Sequence, residues 1–294
     1  MTGPAASGAA SGAKRVILSA DDFGLSVAVN EAIEQAHRDG ILGAASLMVA
    51  GPAAADAVRR ARALPGLRVG LHLVVIEGPA ALPPASIPDL VDAEGRFPSD
   101  QLRLGLRYAF VPRVRRQLAA EIRAQFAAFA ATGLKLDHAD AHKHMHLHPT
   151  VGRLMIAIGR GCGLRALRVP AEPPGVIAAS GGQPGFGDRV LFRWTRLLRA
   201  QARRAGLATN DACFGLAWSG HMTSARLLAL APCLPAGLSE IYFHPASRRD
   251  DDLVRLMPDY AHTAELEALC DPDVAAALAR AGVHRTTYGE ETTA

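Results

Sequence analysis

Short apolar segments alternate with amphipathic segments along most of the chain, and this alternation limits the fold more than any other feature. The apolar run Arg15 to Ala20 precedes an amphipathic stretch that Ser26 can cap and that ends at Gly40. Strands that alternate with helices predict a parallel sheet. The predicted strands are residues 15–20, 45–49, 67–73, 134–139, 166–169, 214–217 and 240–243. Seven strands of this kind favour a barrel over an open sheet.

The predicted helices and two segments that break the alternation indicate one domain with an insertion. Helices are predicted at 52–64, 151–160, 224–230 and 272–281, and Pro112 opens a long helix that ends before Gly133. The Pro-rich segment 77–98 and the segment 171–210 do not fit the pattern, and long loops of this kind are commonly lids or binding loops. We expect a single domain over residues 14–285 with an insertion at about 171–210, a disordered tail at 1–13 and a C-terminal tail at 286–294.

The composition argues against several classes of protein. The 294 residues are 49% hydrophobic and 20% charged, which suits a globular chain with a sizeable core. The chain contains no apolar run of about 18 residues, as a membrane-spanning helix requires, and its first thirteen residues do not resemble a signal peptide. Four cysteines without a C-x-x-C pair argue against a zinc–thiolate site and a disulfide framework. We therefore expect a cytoplasmic protein.

The formal net charge of +4 is modest and comes almost entirely from arginine. Nucleic-acid binding is not expected, because the aromatic content is 5% and the arginines are spread along the chain without interleaved aromatic residues. An anionic membrane surface is a better candidate for a charged partner.

Acidic residues and histidines lie at or just beyond the ends of several predicted strands. In a parallel barrel the carboxyl ends of the strands form one rim, where active sites are found. Residues that are far apart in the sequence would therefore meet at one mouth. They are Asp21, Asp22, His72, Asp140, His142 and His244.

The adjacent carboxylates Asp21 and Asp22 can divide two tasks. Neighbouring side chains after a strand point in different directions, so one carboxylate can bind a metal ion while the other stays free as a base. The alternative interpretation is a pair of acidic residues at a helix start, where acidic side chains are favoured. Both interpretations are open for the pair taken alone.

Histidines are unusually dense between residues 138 and 148, where every second residue except Asp140 is a histidine. Alternate residues of an extended strand share a face, so one or two of these side chains could reach an ion. His72 lies in an apolar strand, where a lone histidine is more often a hydrogen-bonded core residue. Histidine and carboxylate ligands without thiolates favour zinc in an open catalytic site, with magnesium or manganese less natural. His244 ends another apolar strand, and a pKa near neutral would let it protonate a leaving amine.

At these residues the chain resembles the YdjC-like family of carbohydrate deacetylases, and within it the hopanoid-biosynthesis-associated branch known as HpnK. The resemblance extends from Arg15 to about Gly282. Its motifs are ADDFGLS at Ala20 to Ser26, N-E-A at Asn30 to Ala32, GLHL at Gly70 to Leu73, LDHADAHKHMHLHP at Leu136 to Pro149 and EIYFHP at Glu240 to Pro245.

The resemblance implies a distorted (β/α) TIM-like barrel of the glycoside hydrolase and deacetylase type. It also implies a hydrolase of a linear amide bond, with one divalent metal ion held by Asp22, His72 and His142 and with Asp21 as the base. The roles of the two aspartates could be exchanged. Arg168 matches an arginine near the family's site, and Arg168 and His144 are candidates for substrate binding. In the branch named above, the implied substrate is N-acetylglucosamine linked to a bacteriohopane polyol.

The insertion carries a predicted basic amphipathic helix from Asp188 to Gly206. Its apolar side would hold Val190, Leu191, Trp194, Leu197 and Leu198, and arginines would occupy the other side. Such a helix can lie on the inner face of an anionic membrane and bring the active site to a lipid-linked sugar. The alternative is a helix docked on the barrel with its arginines in solvent.

Three further functions stay open at this point. The chain could deacetylate soluble chitooligosaccharides, hydrolyse a phosphoester with the same ligands, or bind glycolipids without catalysis. The free carboxylate beside a metal ligand speaks against the last of these, because a purely structural metal site has no use for a base.

Overall fold

The computed structural model describes residues 12–292, so most of the predicted N-terminal tail and residues 293–294 lie outside the described residues. The strands are β1 Lys14–Phe23, β2 Ala44–Leu47, β3 Arg68–Leu73, β4 Leu136–Ala141, β5 Ala212–Phe214, β6 Gly237–Phe243 and β7 Val283–Arg285. The longer helices are α1 Val27–Arg38, α2 Ala54–Arg62, α3 Gln101–Phe110, α4 Pro112–Ala131, α5 Pro149–Gly161, α7 Phe186–Arg204, α10 His262–Cys270 and α11 Pro272–Arg280. The shorter helices are α6 Pro174–Ala179, α8 Ser224–Leu230, α9 Asp251–Leu256 and α12 Tyr288–Glu291.

The strands form a parallel sheet in the order β4-β3-β2-β1-β6-β5, and β7 pairs with the start of β1. Because all pairings are parallel, the carboxyl ends of the strands lie at the same edge. The curled sheet is an α/β architecture consistent with a distorted TIM-like barrel.

The predicted fifth strand, 166–169, is not a regular strand. This segment lies between β4 and β5 and makes only the single bridges Ala139–Leu167 and Ala166–Ala208. The side-chain amide of Asn210 takes the place of a ladder neighbour, because it accepts from the Val169 N–H and donates to the Val169 carbonyl. A regular barrel of the seven predicted strands is therefore not confirmed. The unpredicted β7 has no apolar run, since two of its three residues are exposed.

The central strand β1 is buried from Val16 to Phe23, including Ser19 and both aspartates. A buried polar group needs a partner, so these three side chains require charged or hydrogen-bonding neighbours inside the barrel. Such neighbours come from β4, β6 and the irregular segment around Arg168, described below.

The chain beyond Arg285 packs against the barrel over its described part. The predicted C-terminal tail begins at residue 286, but α12 places Tyr288 in the core. The Tyr288 hydroxyl donates to Glu240 Oε2 at 2.7 Å. This part of the chain therefore belongs to the folded body.

The helix of the insertion presents to the barrel a face that overlaps the predicted one only in part. Helix α7 begins at Phe186 and ends at Arg204, and it buries Thr195, Leu198 and Ala202. Of the predicted apolar side, Leu198 is buried and Leu191 is half-buried, whereas Val190, Trp194 and Leu197 are 43–49% exposed. Small side chains at 195 and 202 let the helix approach the barrel closely, which leaves the larger ones outside. Within residues 12–292, no helix is both long enough and apolar enough to cross a membrane.

Candidate metal centre and active site

Asp21 and Asp22 lie at the end of β1, where a local irregularity separates their side chains. The β1–β2 register shifts between Ala20 and Phe23, and Asp22 has a left-handed backbone with φ of 61°. Such a conformation costs a non-glycine residue free energy and is retained where the surrounding structure imposes it. The result is that Asp21 turns towards Arg168 and Asp22 turns towards two histidines.

Strained backbone is concentrated at one cavity. Within residues 12–292 the non-glycine residues with positive φ are Asp22, Glu77, Lys143 and His144, and all four line the same cavity of about 460 Å³. Lys143 and Glu77 also form an ion pair there. A cavity of this size suits a small-molecule ligand, and strain of this kind clusters at functional sites.

Three ligand-type atoms converge at the wall of this cavity. His142 Nδ1 lies 3.1 Å from Asp22 Oδ1, and His72 Nε2 lies 3.3 Å from the same oxygen. The two histidine nitrogens are 3.4 Å apart. The chain thus brings together residues from the ends of β1, β3 and β4, separated by up to 120 positions.

This triangle has the dimensions of three ligands on one divalent ion. A zinc ion binds histidine and carboxylate atoms at roughly 2.0–2.2 Å, and tetrahedral ligands at that radius lie about 3.3–3.6 Å from one another. In addition, the buried Asp22 Oδ2 has no hydrogen-bond partner among the described residues. An unpartnered buried carboxylate oxygen is costly unless a cation or water satisfies it. The residues present therefore fit a divalent metal ion.

His72 is oriented by Asp140, which neighbours it across β3 and β4. Because a carboxylate only accepts hydrogen bonds, His72 Nδ1 donates to Asp140 Oδ1 at 2.8 Å. That leaves Nε2 facing Asp22 and the cavity, as in metal sites where a carboxylate fixes the ligating histidine. Burial alone lowers the pKa of His72, but Asp140 and Asp21 raise it well above its usual value. The centre thus has an excess of negative charge that attracts a cation.

The carboxylate of Asp21 is bound on its buried side by Arg168. The Arg168 Nη1 group donates to Asp21 Oδ2 at 2.8 Å, whereas Asp21 Oδ1 has no partner in the described structure. Burial raises the pKa of Asp21 to about 6, against the opposing effect of Arg168. Asp22 differs, because the nearby His142 and His72 outweigh its burial and hold its pKa well below the usual value.

Arg168 lies beneath the cavity rather than on its surface. Its side chain is fully buried and forms ion pairs with Asp21, Asp140 and Glu240. These contacts place Arg168 where it can orient the three carboxylates. Arg168 is not one of the residues that line the cavity.

His244 lines the same cavity at the end of β6. Its backbone N–H donates to Glu265, and its carbonyl accepts from His262 Nδ1 at 2.6 Å. The ring atom Nδ1 is buried and has no partner among residues 12–292. The expected pKa near neutral is corrected by the structure, because burial lowers the pKa of His244 to about 4. The ring is therefore neutral at neutral pH before a reaction begins.

The remaining histidines of the 138–148 run have different positions. His144 lines the cavity and its Nε2 lies 3.0 Å from the Tyr242 hydroxyl. His138 and His146 are buried away from the cavity, and His148 caps α5. They separate because β4 ends at Ala141 and the backbone turns left-handed at Lys143 and His144. The alternation of an extended strand does not continue past His142.

Sequence reasoning missed several residues beneath the site. Ser46 donates to Asp140 Oδ2 at 2.9 Å, and Ser19 donates to Glu240 Oε1 at 2.7 Å. Rim position predicts Asp140 at the site but assigns it no role. Glu240 could have been found as a charged residue within an otherwise apolar strand, because such a residue is buried only when it is paired.

Comparison with known proteins identifies the family. Residues 15–280 match the sequence profile of the family described as YdjC-like protein. The chain belongs to the YdjC-like family. A carbohydrate deacetylase of Geobacillus stearothermophilus is 31% identical over 277 residues, which cover 93% of this chain and 96% of the relative. A carbohydrate deacetylase of Brevibacillus brevis is 38% identical over 160 residues, 54% of this chain and 59% of the relative.

Solved structures share the fold of this YdjC-like chain. A crystal structure from Enterococcus faecalis, provisionally described as a cellobiose-phosphate cleavage protein, has a TM-score of 0.75 and 24% identity. The match covers 95% of this chain and 99% of that one. A lactam utilization protein from Thermus thermophilus has a TM-score of 0.51 and 17% identity, with 93% and 99% covered. At these identities the likeness concerns the fold alone.

Proposed function

We propose that this YdjC-like chain is a metal-dependent hydrolase that removes the acetyl group from an acetylated amino sugar. The named relatives support a hydrolytic carbohydrate deacetylase. The observation that carries the proposal is the convergence of Asp22, His72 and His142 at a cavity that also holds the partly unpaired carboxylate of Asp21. A ligand set and a free base at one small-molecule cavity suit amide hydrolysis.

Asp22, His72 and His142 would hold the ion. A bound divalent ion would supply Lewis-acid polarisation of the acetamide carbonyl and make water a stronger nucleophile near neutral pH. The histidine and carboxylate atoms favour zinc, and magnesium is the alternative.

Asp21 and His244 move the protons of the reaction. Asp21 accepts a proton from the water that attacks the acetyl carbon, and Arg168 holds the carboxylate in place for this transfer. The C–N bond then breaks, acetate leaves, and the sugar nitrogen receives a proton from His244. Because burial holds His244 neutral at rest, the ring must first gain a proton, and the proton that Asp21 takes from water is its source. Water supplies both the oxygen and the protons, so the reaction balances.

We further propose N-acetylglucosamine linked to a bacteriohopane polyol as the substrate. This finer assignment rests on the motif resemblance to the hopanoid-associated branch. His144 at the cavity wall is a candidate for contact with the sugar. Soluble chitooligosaccharides are the competing substrate class.

Acetate release tests the reaction. The purified chain, supplied with zinc or magnesium, should release acetate from acetylglucosaminyl-hopanoid or from chitobiose in its N,N′-diacetylated form, and a chelator should stop it. Release only from the former supports the lipid-linked substrate, and release only from chitobiose overturns it. Release of phosphate from phosphoesters, or glycolipid binding without turnover in the presence of metal, would overturn deacetylation itself.

A further inference from the structure

Exposed apolar side chains are concentrated on two helices. Among the described residues, eleven large hydrophobic side chains are exposed, and eight of them lie on α3, on α7 or at Val111 directly after α3. On α3 they are Leu102, Leu106 and Phe110, spaced four residues apart, and on α7 they are Phe186, Val190, Trp194 and Leu197. This spacing puts each set along one side of its helix. We call these seven side chains the α3–α7 surface.

The two helices flank the same short segment beside the active site. The Trp194 indole donates to the carbonyl of Leu147 at 3.0 Å. On the other helix, a side chain at Gly105 would lie 3.6 Å from the ring of His148. Leu147 and His148 directly follow the turn that begins at His142. The α3–α7 surface is therefore anchored a few residues from the metal-binding histidine.

The side chains of the α3–α7 surface are more exposed than single apolar residues on a protein surface usually are. Phe186 is 83% exposed and Phe110 is 75% exposed, although aromatic side chains of this size normally bury most of their area. Clusters of exposed apolar side chains mark sites that contact a protein or a membrane.

Charge distinguishes between possible occupants. Residues 101–116 and 186–204 carry eleven arginines and the single acidic residue Asp188, a formal charge of +10. The whole chain has +4, so all other residues together carry −6. Arg113 and Arg203 of these segments pair with Asp89 and Asp211. Among residues 12–292, no ion pair is formed by Arg103, Arg107, Arg189, Arg193 or Arg196. Their charge is available to an external partner.

We propose that the α3–α7 surface docks on an anionic membrane. Two copies of a surface with this charge would repel each other, which disfavours a dimer through it. Nucleic acid would neutralise the arginines but would leave aliphatic Leu102, Leu106 and Val190 without an apolar environment. An anionic bilayer satisfies both features, since its headgroups attract arginine and its interface accepts Phe, Leu and Trp. Docking would also bring the cavity to a lipid-linked sugar in the membrane, and in this respect the inference rests on the proposed function.

Vesicle binding tests the proposal directly. The full chain should co-sediment with vesicles of equal parts phosphatidylglycerol and phosphatidylcholine, should bind pure phosphatidylcholine vesicles far less, and should dissociate as salt is raised. The triple variant L106S/F110S/F186S and the triple variant R103Q/R107Q/R193Q should each bind at least tenfold more weakly. The matched controls are Leu228→Ser on α8 and Arg59→Gln on α2, both exposed outside this surface, and they should bind as wild type does.

Trp194 provides an independent reading of where contact occurs. The chain has two tryptophans, so Trp218→Phe leaves Trp194 as the sole indole. Its emission should shift to the blue with the anionic vesicles and stay unchanged with neutral ones.

Three results would overturn the proposal. They are absence of anionic vesicle binding in the wild type, binding that both triple variants retain, and a wild-type dimer that L106S/F110S/F186S converts to a monomer. Acetate release from detergent-dispersed acetylglucosaminyl-hopanoid, which requires no membrane, should be unchanged in both triple variants. If the wild type releases acetate from neither this substrate nor chitobiose while vesicle binding holds, deacetylation is wrong and docking stands.

Discussion

Two groups of ionisable and polar side chains lie at the carboxyl edge of the sheet, and they differ in how completely they are paired. Asp21, Asp22, His144 and His244, which we call the cavity layer, each have one buried polar atom without a partner in the described structure. Beneath them lies the buried layer, Ser19, Asp140, Arg168, Glu240 and Tyr288, whose side chains all have ion pairs or hydrogen bonds.

The difference indicates separate functions for the two layers. A protein leaves buried polar atoms unpaired only at a cost, so the cavity layer is organised for a ligand that the protein itself does not provide. Every side chain of the buried layer has a hydrogen-bond or ion-pair partner, and this layer holds the cavity layer in position. Substitutions in the cavity layer should therefore impair chemistry more than folding, and those in the buried layer should do the reverse.

The largest expected effect follows removal of His142, the proposed ligand that contacts Asp22 of the cavity layer. His142→Ala should abolish metal binding and lower acetate release by about three orders of magnitude, because the ion supplies several kcal/mol of transition-state stabilisation. The free energy of unfolding of the metal-free protein should change little. Metal content, initial rates and urea denaturation measure the three quantities. His284→Ala, an exposed histidine on β7, is the control; equal loss of metal in both variants would contradict the assignment.

Removal of Arg168, the cation at the centre of the buried layer, should lower the stability of the protein. Arg168→Met leaves Asp21, Asp140 and Glu240 without their shared partner, so the free energy of unfolding should fall by about 3–5 kcal/mol. Arg203→Met breaks an exposed pair with Asp211 and should cost less than about 1 kcal/mol. Denaturation curves compare them, and similar losses would mean that the buried layer is not what stabilises this edge.

An intermediate effect is expected where the two layers meet. Asp140→Asn removes the carboxylate that fixes the tautomer of His72, so metal affinity should fall about 10–100-fold. Asp137→Asn is the matched control on the same strand, since Asp137 pairs with His138, which lies away from the cavity. Calorimetric titration with zinc measures both. Unchanged affinity in Asp140→Asn would remove Asp140 from the metal site.

The smallest effect should come from the periphery of the buried layer. Tyr288→Phe removes the hydrogen bond from the hydroxyl to Glu240, which should lower the free energy of unfolding by about 1–3 kcal/mol without altering metal affinity. Thermal and urea unfolding measure the change, with zinc titration alongside. A loss of metal affinity in this variant would break the separation of the two layers.

Much of the fold followed from local patterns in the sequence. The strands β1, β2, β3 and β6 contain apolar runs between turn residues, so their pattern locates them, whereas β4 is half ionisable and lies two residues beyond the predicted 134–139. The segment 166–169 has the same pattern but loses its ladder to the side chain of Asn210. β7 is too short to have a pattern. Helix α3 was not predicted, because its apolar residues occupy every second position from Leu102 to Phe110, although only Leu104 and Tyr108 are buried.

The candidate site likewise has residues that the sequence could locate and residues that it could not. Rim position brought Asp21, Asp22, His72, His142 and His244 into one hypothesis, and the structure places them around one cavity. Of the buried layer, rim position found only Asp140. The network around it could not be found this way, because Arg168 meets Asp21 across 147 positions and Glu240 across 72. The lowered pKa of His244 likewise depends on how deeply β6 lies in the fold.

The separation of Asp21 from Asp22 is the most direct test of the account, because the two carboxylates are adjacent and chemically identical. Asp21→Asn and Asp22→Asn should be compared for zinc content and for acetate release. The account predicts that Asp21→Asn binds zinc as wild type does while acetate release falls by about 10²–10⁴-fold, as expected for loss of a general base. Asp22→Asn should lose both zinc and turnover. Loss of zinc in Asp21→Asn with zinc retained in Asp22→Asn would exchange the two roles, and full activity in either variant would contradict the site.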